Sequence, residues 1–518
     1  MIHQGCTLGE LFVRAVRQHG ERPALADEHE TISYAELGRR MSGFAAVLSG
    51  AGLRRGDGIA MITANRVDAV VAIGAAMLLG LRYTPLHPRG SLDDHAFILE
   101  DAGVLLLLID EQGFTEHGLA LRQRVAGLRA HFFLGAGAAG PSLSVEMAGL
   151  APLPLECQAA ADDIVSVIYT GGTTGRPKGV VHRQRSLLTN LLTQLAVCEL
   201  PVELNFLAVT PVSHASFLFI LPTLLRGGCF VLRRGFNPAG FVELLHSQRI
   251  TATFLVPTMI NMILDDGAIH ARGPGSLQTL VYGASPIAPA RLQQGLAAFG
   301  PVFVQIYGQV EVPNVISVLA KHDHDLARPD LLAACGQPTP ANVVRLLDDD
   351  GREVADGEVG EICVRGPLVM EGYWNRPEET AATMAGGWLH TGDLARRDAR
   401  GFLYIVDRKK DLIISGGFNV YPREIEDVLA RHPQVAMCCV VGVPDARWGE
   451  AVKAVVVPAP GTQPDPQQLC DFVAAEKGRV CAPKSIDFAA AIPLTPLGKP
   501  DRKTVRQQYW SDHDRKVS

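Results

Sequence analysis

The chain has 518 residues, of which 47% are apolar and 20% charged, with a net charge of −6. This composition fits a soluble globular protein too long for one ordinary core, so two or more domains are expected. The acidic balance offers no basic surface for nucleic acid, and no apolar run reaches the length of a membrane span.

Taken in chain order, residues 33–48 read as an amphipathic helix, 58–63 as a strand and 67–81 as a packed apolar helix. A strand is expected at 104–109. Residues 116–150, rich in Ala and Gly, keep a helix-like spacing that argues against a disordered linker. Short apolar runs at 164–168, 230–233, 253–257 and 302–306 read as further strands. Such alternation predicts an α/β fold with parallel-rich sheets in a large N-terminal domain of several subdomains. The texture changes after the strand 401–407. Charged Arg408 to Asp411 leads into a helix at 422–432, opened by Pro422, and a strand at 436–443. We therefore expect domains at 1–409 and 410–518, the second small, mobile and α/β, with a hinge at Lys410.

The ten cysteines show no paired metal spacing. Cys438 and Cys439 sit in an apolar strand-like run and read as core. The N-terminus lacks a signal pattern, so a reducing cytoplasm is the expected compartment.

Chemistry concentrates in a few segments. Tyr169 to Gly179 follows a buried strand and mixes four glycines, three threonines and Lys178. Backbone N–H groups, hydroxyls and one cation on such a loop suit a polyphosphate, although the order differs from the common P-loop. Tyr307 to Glu311 follows another strand. An aromatic ring there can stack on a purine, and the Glu311 carboxylate can hold Mg²⁺. Trp388 to Asp393 places a carboxylate after a Gly turn, suited to ribose hydroxyls. Arg408 follows the next strand and can grip the same ribose or a phosphate. Lys499 lies on a Gly/Pro-shaped loop near the C-terminus. Taken singly, each of these residues outside the phosphate loop reads more readily as ordinary core or surface; the ordered set carries the meaning.

That set resembles the adenylate-forming superfamily of acyl-CoA synthetases, adenylation domains and luciferases. The likeness runs from Leu8 through Lys503 and rests on Tyr169–Gly179, the Gly283-Ala-Ser-Pro286 turn, Tyr307–Glu311, Gly372-Tyr-Trp, Thr391-Gly-Asp393, Asp407–Asp411, Gly416-Gly417 and Gly498-Lys499. It implies that Thr170, Gly171, Gly172, Thr173, Thr174 and Lys178 hold the ATP phosphates. It places Gly283, Ala284 and Ser285 along the adenine and acyl site. Gln305, Ile306, Tyr307, Gly308 and Gln309 form the adenine strand, with Tyr307 stacking on the base. Glu311 holds Mg²⁺, Asp393 binds the ribose, and Ile405 and Arg408 support it. Lys410 takes the hinge position. Ser415, Gly416 and Gly417 lie beside the pantetheine arm of coenzyme A. Lys499, Thr174, Glu311 and His214 are the implied catalytic set. Two departures stand out: Gly171 where Ser is common, and Val310 where Thr is common.

The resemblance implies an acid–thiol ligase. A carboxylate attacks the α-phosphate of ATP to give acyl-AMP and pyrophosphate, and a thiol then displaces AMP. Coenzyme A is the expected acceptor, with a carrier protein as the alternative. No fused carrier domain or attachment site is evident. His214, Phe217, Met259, Gly283 and Gly308, with Phe219 and Met262, are the candidate acid-pocket residues. They lack a carboxylate for an amino-acid amine, so an apolar acid is expected: fatty, aryl or alicyclic. A monomer or homodimer is expected.

Overall fold

The computed structural model describes residues 5–170, 176–445, 447–494 and 500–510. It divides into two compact units, one of residues 1–343 and 364–389 and another of residues 344–363 and 390–518.

The first unit is built on two parallel-rich sheets. The nine-stranded sheet runs, edge to edge, Gln337–Pro338, Val312–Leu319, Phe303–Gln309, Thr279–Gly283, Ala252–Leu255, Asn205–Ala208, Cys229–Leu232, Pro23–Ala26 and Thr31–Ser33. Its central pairs are parallel and its outer pairs antiparallel. The seven-stranded sheet runs Gly372–Tyr373, Lys178–Arg183, Ile164–Thr170, Arg82–Pro85, Gly58–Ile62, Val104–Asp110 and Ala130–Leu134. Its inner strands read as continuous apolar runs because helices cover both faces. Phe303, Leu280, Leu255 and Ile260 are among the fully buried residues packed at the first sheet, and Ile109, Leu107 and Phe133 at the second.

The second unit carries a four-stranded sheet in the order Val343–Leu347, Gly360–Arg365, Leu389–Arg397 and Leu403–Arg408. Its other sheet has five strands, with the long strand Gly449–Pro458 inside it and its antiparallel partner Val435–Asp445 at the edge. Helices Pro422–Leu429 and Pro466–Lys477 close its core around Ile425, Leu429, Val440, Val452 and Leu469. Residues 390–409 thus pack with the second unit. A pivot at Lys410 is a statement about motion, taken up below.

Element ends move for identifiable reasons. The strand expected through Pro257 stops at Leu255, and Pro257 opens helix Pro257–Asp266, where its missing N–H costs nothing. The helix from Val67 ends at Leu79, because Gly80 takes a left-handed φ of 67°. The helix from Pro422 ends at Leu429 rather than His432. Pro433 follows His432, and the residue before a proline is pushed out of helical backbone. Residues 116–150 are only partly helical: Ala130–Leu134 adds in parallel to Val104–Asp110, a pairing no local spacing announces. Cys438 and Cys439 lie buried in their strand, and all ten cysteines are free thiols. Among the described residues, no helix is long and apolar enough to cross a membrane.

Candidate active site

In the first unit, strand Ile164–Thr170 leads into the phosphate loop and strand Lys178–Arg183 leads out, with Thr170 opposite Lys178. Gly171, Gly172, Thr173 and Thr174 lie outside the described residues. The Lys178 ammonium pairs with Glu379 and lies 5.3 Å from the centre of the Tyr373 ring. The Tyr373 hydroxyl in turn donates to Glu311 Oε1 at 2.8 Å. Tyr373 therefore joins two expected site residues, the phosphate-loop cation and the carboxylate. The sequence motif contained it without suggesting that link.

Glu311 stands half-buried in the turn between Phe303–Gln309 and Val312–Leu319. Three contacts brace this turn. The buried His182 donates through Nε2–H to the Val310 carbonyl at 2.8 Å, Asn190 donates to the Pro313 carbonyl at 2.6 Å, and the Met370 N–H to the Glu311 carbonyl at 2.8 Å. Burial pushes the His182 imidazole down to about 4, so it stays neutral. A single carboxylate working with substrate phosphates is the usual donor set for Mg²⁺. A half-buried carboxylate in a braced turn, sharing Tyr373 with Lys178, fits that ion.

The expected adenine wall is two parallel strands, with Gly283 opposite Ile306. Neither glycine can be replaced cheaply. A Cβ on Gly283 would come 2.4 Å from the Ile306 carbonyl oxygen, and one on Gly308 2.7 Å from the Asn314 backbone. Ala284 takes φ +66°, a conformation that non-glycine residues hold at a cost and that clusters at functional sites. Ser285 follows, half-buried. Tyr307 is 9% exposed and Ile306 buried, while Gln309 is half-buried. The Gln305 amide accepts from the Tyr282 hydroxyl at 2.9 Å, and that hydroxyl also meets His324 Nε2 at 3.0 Å. Gln305 is thus anchored in a buried network.

On the acid side, His214 Nδ1 lies 2.9 Å from Ser213 Oγ, and the His87 ring stands edge-on at 4.6 Å. Burial, with the neighbouring His87, pushes the His214 imidazole down to about 4. Phe217 meets Tyr83 at 6.0 Å and lines a small apolar pocket with Leu8, Phe12, Met77 and Leu191. Phe219, by contrast, is fully buried and stacks between Phe206 and Phe254 at 5.0 and 5.6 Å, which makes it a core residue. Met259 is partly buried against the core, and Met262 is exposed.

In the second unit, Asp393 and Arg408 face each other across an antiparallel pair, with Arg408 Nε 3.0 Å from Asp393 Oδ1. Asp393 is 4% exposed. Its N–H donates to Thr391 Oγ1 at 3.1 Å, and that hydroxyl donates to the Ile362 carbonyl at 2.7 Å. Ile405 sits opposite Ala395 in the same ladder. Lys410 lies in the 3₁₀ turn Lys409–Asp411, and desolvation lowers its pKa. Ser415, Gly416, Gly417 and Phe418 close a two-residue hairpin with φ of +58° and +82° at the two glycines, the signature of a type I′ turn. A Cβ on Gly416 would also meet the Trp448 ring at 2.5 Å. Lys499 lies outside the described residues.

Arg502, which no sequence motif singles out, is the hub of a mostly buried ion network. It reaches Asp407 at 3.3 Å and Asp411 at 3.5 Å, and pairs with Glu426. Asp407 also accepts from the Arg408 and Arg423 N–H groups, both at 2.7 Å. This network ties the segment after Lys499 to the residues around Lys410.

The profile of the AMP-binding enzyme family matches residues 12–374, and that of the AMP-binding enzyme C-terminal domain matches residues 424–499. The chain is 45% identical to a medium/long-chain-fatty-acid–CoA ligase of Mycobacterium tuberculosis, over 98% of this chain and 91% of that one. It is 35% identical to a feruloyl-CoA synthase of an Amycolatopsis species, over 98% of this chain and all of the other. Among solved structures, the amide bond synthetase McbA of Marinactinospora thermotolerans superposes with a TM-score of 0.89 at 33% identity, covering 97% of this chain and 100% of that one. The phosphate-loop strands, the Glu311 turn and the Asp393–Arg408 pair thus belong to a chain that is a member of the AMP-binding enzyme family.

Proposed function

We propose that this protein is an ATP-dependent acyl-CoA ligase acting on an apolar carboxylic acid, fatty, aryl or alicyclic. The observation that carries the reading is the chain of contacts from Lys178 through Tyr373 to Glu311. It holds a cation and a carboxylate around one ring at the exit of a Gly/Thr-rich loop.

The carboxylate substrate and the α-phosphate are both anions, so catalysis needs positive charge placed in advance. Lys178 would leave Glu379 to meet the phosphates, Thr170, Thr173 and Thr174 would add hydroxyls, and Lys499 would supply positive charge for the α-phosphate during adenylation. Glu311 would hold Mg²⁺, which neutralises phosphate charge when bound. Asp393 takes the ribose hydroxyls, oriented by Arg408 and Thr391. Attack forms the acyl–phosphate bond and breaks the bond to pyrophosphate. Coenzyme A then attacks the acyl carbon, and AMP leaves with the bonding pair. For that step the small domain, 410–518, turns about Lys410 and brings Ser415, Gly416 and Gly417 to the pantetheine arm. His214, neutral beside His87, gates the acid pocket, with Phe217, Met259, Gly283 and Gly308 along its wall. The names of the fatty-acid and feruloyl relatives support an apolar acid and coenzyme A. A further relative, named as a fatty acid–[acyl-carrier-protein] ligase of Streptomyces coeruleorubidus, keeps a carrier-protein thiol as the second reading. Free thiols throughout suit the cytoplasm.

The test is pyrophosphate release from ATP with a panel of fatty, aryl and alicyclic acids, each with coenzyme A, with a holo carrier protein, and with neither. We expect acid-dependent release and a CoA thioester formed one-to-one with AMP. Release without any CoA thioester, coupled instead to carrier loading, would transfer the reading to the alternative.

A further inference from the structure

Glu361 and Cys363 lie two residues apart on strand Gly360–Arg365, so both side chains leave the same face of the four-stranded sheet. His390 comes from the adjacent strand Leu389–Arg397. Its Nδ1 is 3.0 Å from Glu361 Oε2 and 3.4 Å from Cys363 Sγ, and one donor atom from each of the three residues lies within 4.8 Å of the others. Glu361 is 6% exposed, Cys363 is fully buried and His390 is half-buried. None of the three has a part in the chemistry proposed above.

A carboxylate, a thiol and an imidazole converging on one ion-sized space form a mixed O/S/N donor set. Hard ions such as Mg²⁺ avoid sulfur, whereas Zn²⁺ and its neighbours accept this mixture, often with three protein ligands and one open position. We propose that Glu361, Cys363 and His390 form a binding site for a thiophilic divalent cation of the Zn²⁺ class, distinct from the Mg²⁺ expected at Glu311. Two neighbours make the site responsive. Lys409 Nζ lies 3.3 Å from Glu361 Oε2 and 2.7 Å from Asp349. It is a cation already standing where the metal charge would come, and Asp349 retains it when the metal arrives. Glu361 Oε1 accepts the Gly392 N–H at 2.9 Å, and Gly392 directly precedes Asp393. Whatever engages Glu361 is therefore felt at the Asp393 carboxylate.

The binding step balances simply. The Cys363 sulfur–metal bond forms as the thiol proton passes to solvent. His390 now donates Nδ1–H to the carboxylate, so its proton moves to Nε2 and the Nδ1 lone pair takes the metal. Coupling to ATP is a consequence that rests on the ribose role assigned to Asp393; metal binding itself does not.

The experiment is a titration of the full chain with Co²⁺, read by thiolate-to-Co²⁺ charge-transfer absorption, followed by displacement with Zn²⁺. One thiolate-ligated Co²⁺ per chain is expected, displaced by Zn²⁺ and indifferent to millimolar Mg²⁺. Cys363→Ser should abolish the band, and His390→Gln should weaken binding at least tenfold, with both variants checked for an unchanged unfolding midpoint in chelator. A band that persists in Cys363→Ser would assign the metal to another of the cysteines and overturn the site. Should Cys363→Ser fail to fold, an unchanged band and affinity in His390→Gln would overturn it equally. In a separate arm, Zn²⁺ should raise the KM for ATP in the wild type but not in Cys363→Ser. An unmoved KM with the Co²⁺ band intact removes the coupling to Asp393. Absence of any acid-dependent pyrophosphate release would instead refute the ligase reading, leaving the metal site tested on its own spectrum.

Discussion

At Glu311 the carboxylate is shared between an expected ion and an observed hydroxyl, that of Tyr373. Replacing Glu311 by Gln keeps the shape and removes the charge. We expect pyrophosphate release to need more Mg²⁺, and kcat/KM for ATP to fall by about tenfold or more, about 1.4 kcal/mol of transition-state stabilisation. The measurement is the Mg²⁺ dependence of pyrophosphate release; an unchanged dependence with a lowered Tm would make Glu311 merely structural. His182, which braces the same turn, gives a pH prediction. Its folded pKa of about 4 lies below the usual His value of 6.5. The unfolded chain thus takes up this proton first as pH falls. Stability from this residue is complete above pH 6.5, is lost between 6.5 and 4, and is level below. At pH 5 the loss is about 2 kcal/mol. Urea unfolding at pH 7 and pH 5 should show an acid loss smaller by about that amount in His182→Gln, whose amide can still donate to Val310.

Among elements, the short C-terminal helix Arg502–Gln507 depends on its first residue. Arg502 neutralises Asp407, which is almost wholly buried, together with Asp411 and Glu426. Removing one partner of such a group leaves buried carboxylates uncompensated, at a cost of about 3–5 kcal/mol. Arg502→Met should therefore lower the unfolding transition of the second unit and leave that of the first in place. Limited proteolysis followed by mass mapping would locate the loosened segment. Equal destabilisation of both units would contradict this assignment.

At the scale of the whole molecule, the two half-reactions provide the test. If Lys499 serves adenylation alone, Lys499→Ala should depress acyl-AMP formation by orders of magnitude, while preformed acyl-AMP still reacts with coenzyme A. Equal loss in both steps would remove that role. Lys410 lies in a 3₁₀ turn directly after strand Leu403–Arg408. Proline fixes φ and deletes the N–H, and hinges are few residues whose φ and ψ absorb a motion. With the small domain locked in the adenylating state, Lys410→Pro should form acyl-AMP at the normal rate and then hold it. Single-turnover kinetics decides: thioester formation at the wild-type rate in that variant would end the two-conformation account.

Local chemistry was legible in the sequence because it is written in neighbouring residues. Strand and helix alternation and prolines opening helices depend on short-range backbone preference. Asp393 and Arg408 could be paired because a single hairpin joins them. The phosphate loop and Lys499 stand out as motifs, through order and composition, but residues 171–175 and Lys499 itself lie outside the described residues. Residues that only the tertiary structure selects lie far apart in sequence. Tyr373 reaches Glu311 across 62 positions, His182 reaches Val310 across 128, and Arg502 reaches Asp407 across 95. No local periodicity distinguishes these side chains from ordinary core or surface, so their roles appear only when packing buries them against a polar partner. Phe219 makes the converse point: its aromatic ring beside His214 suggested a pocket wall, but the stack of Phe206 and Phe254 claims it, because on a helix adjacent residues face different neighbours.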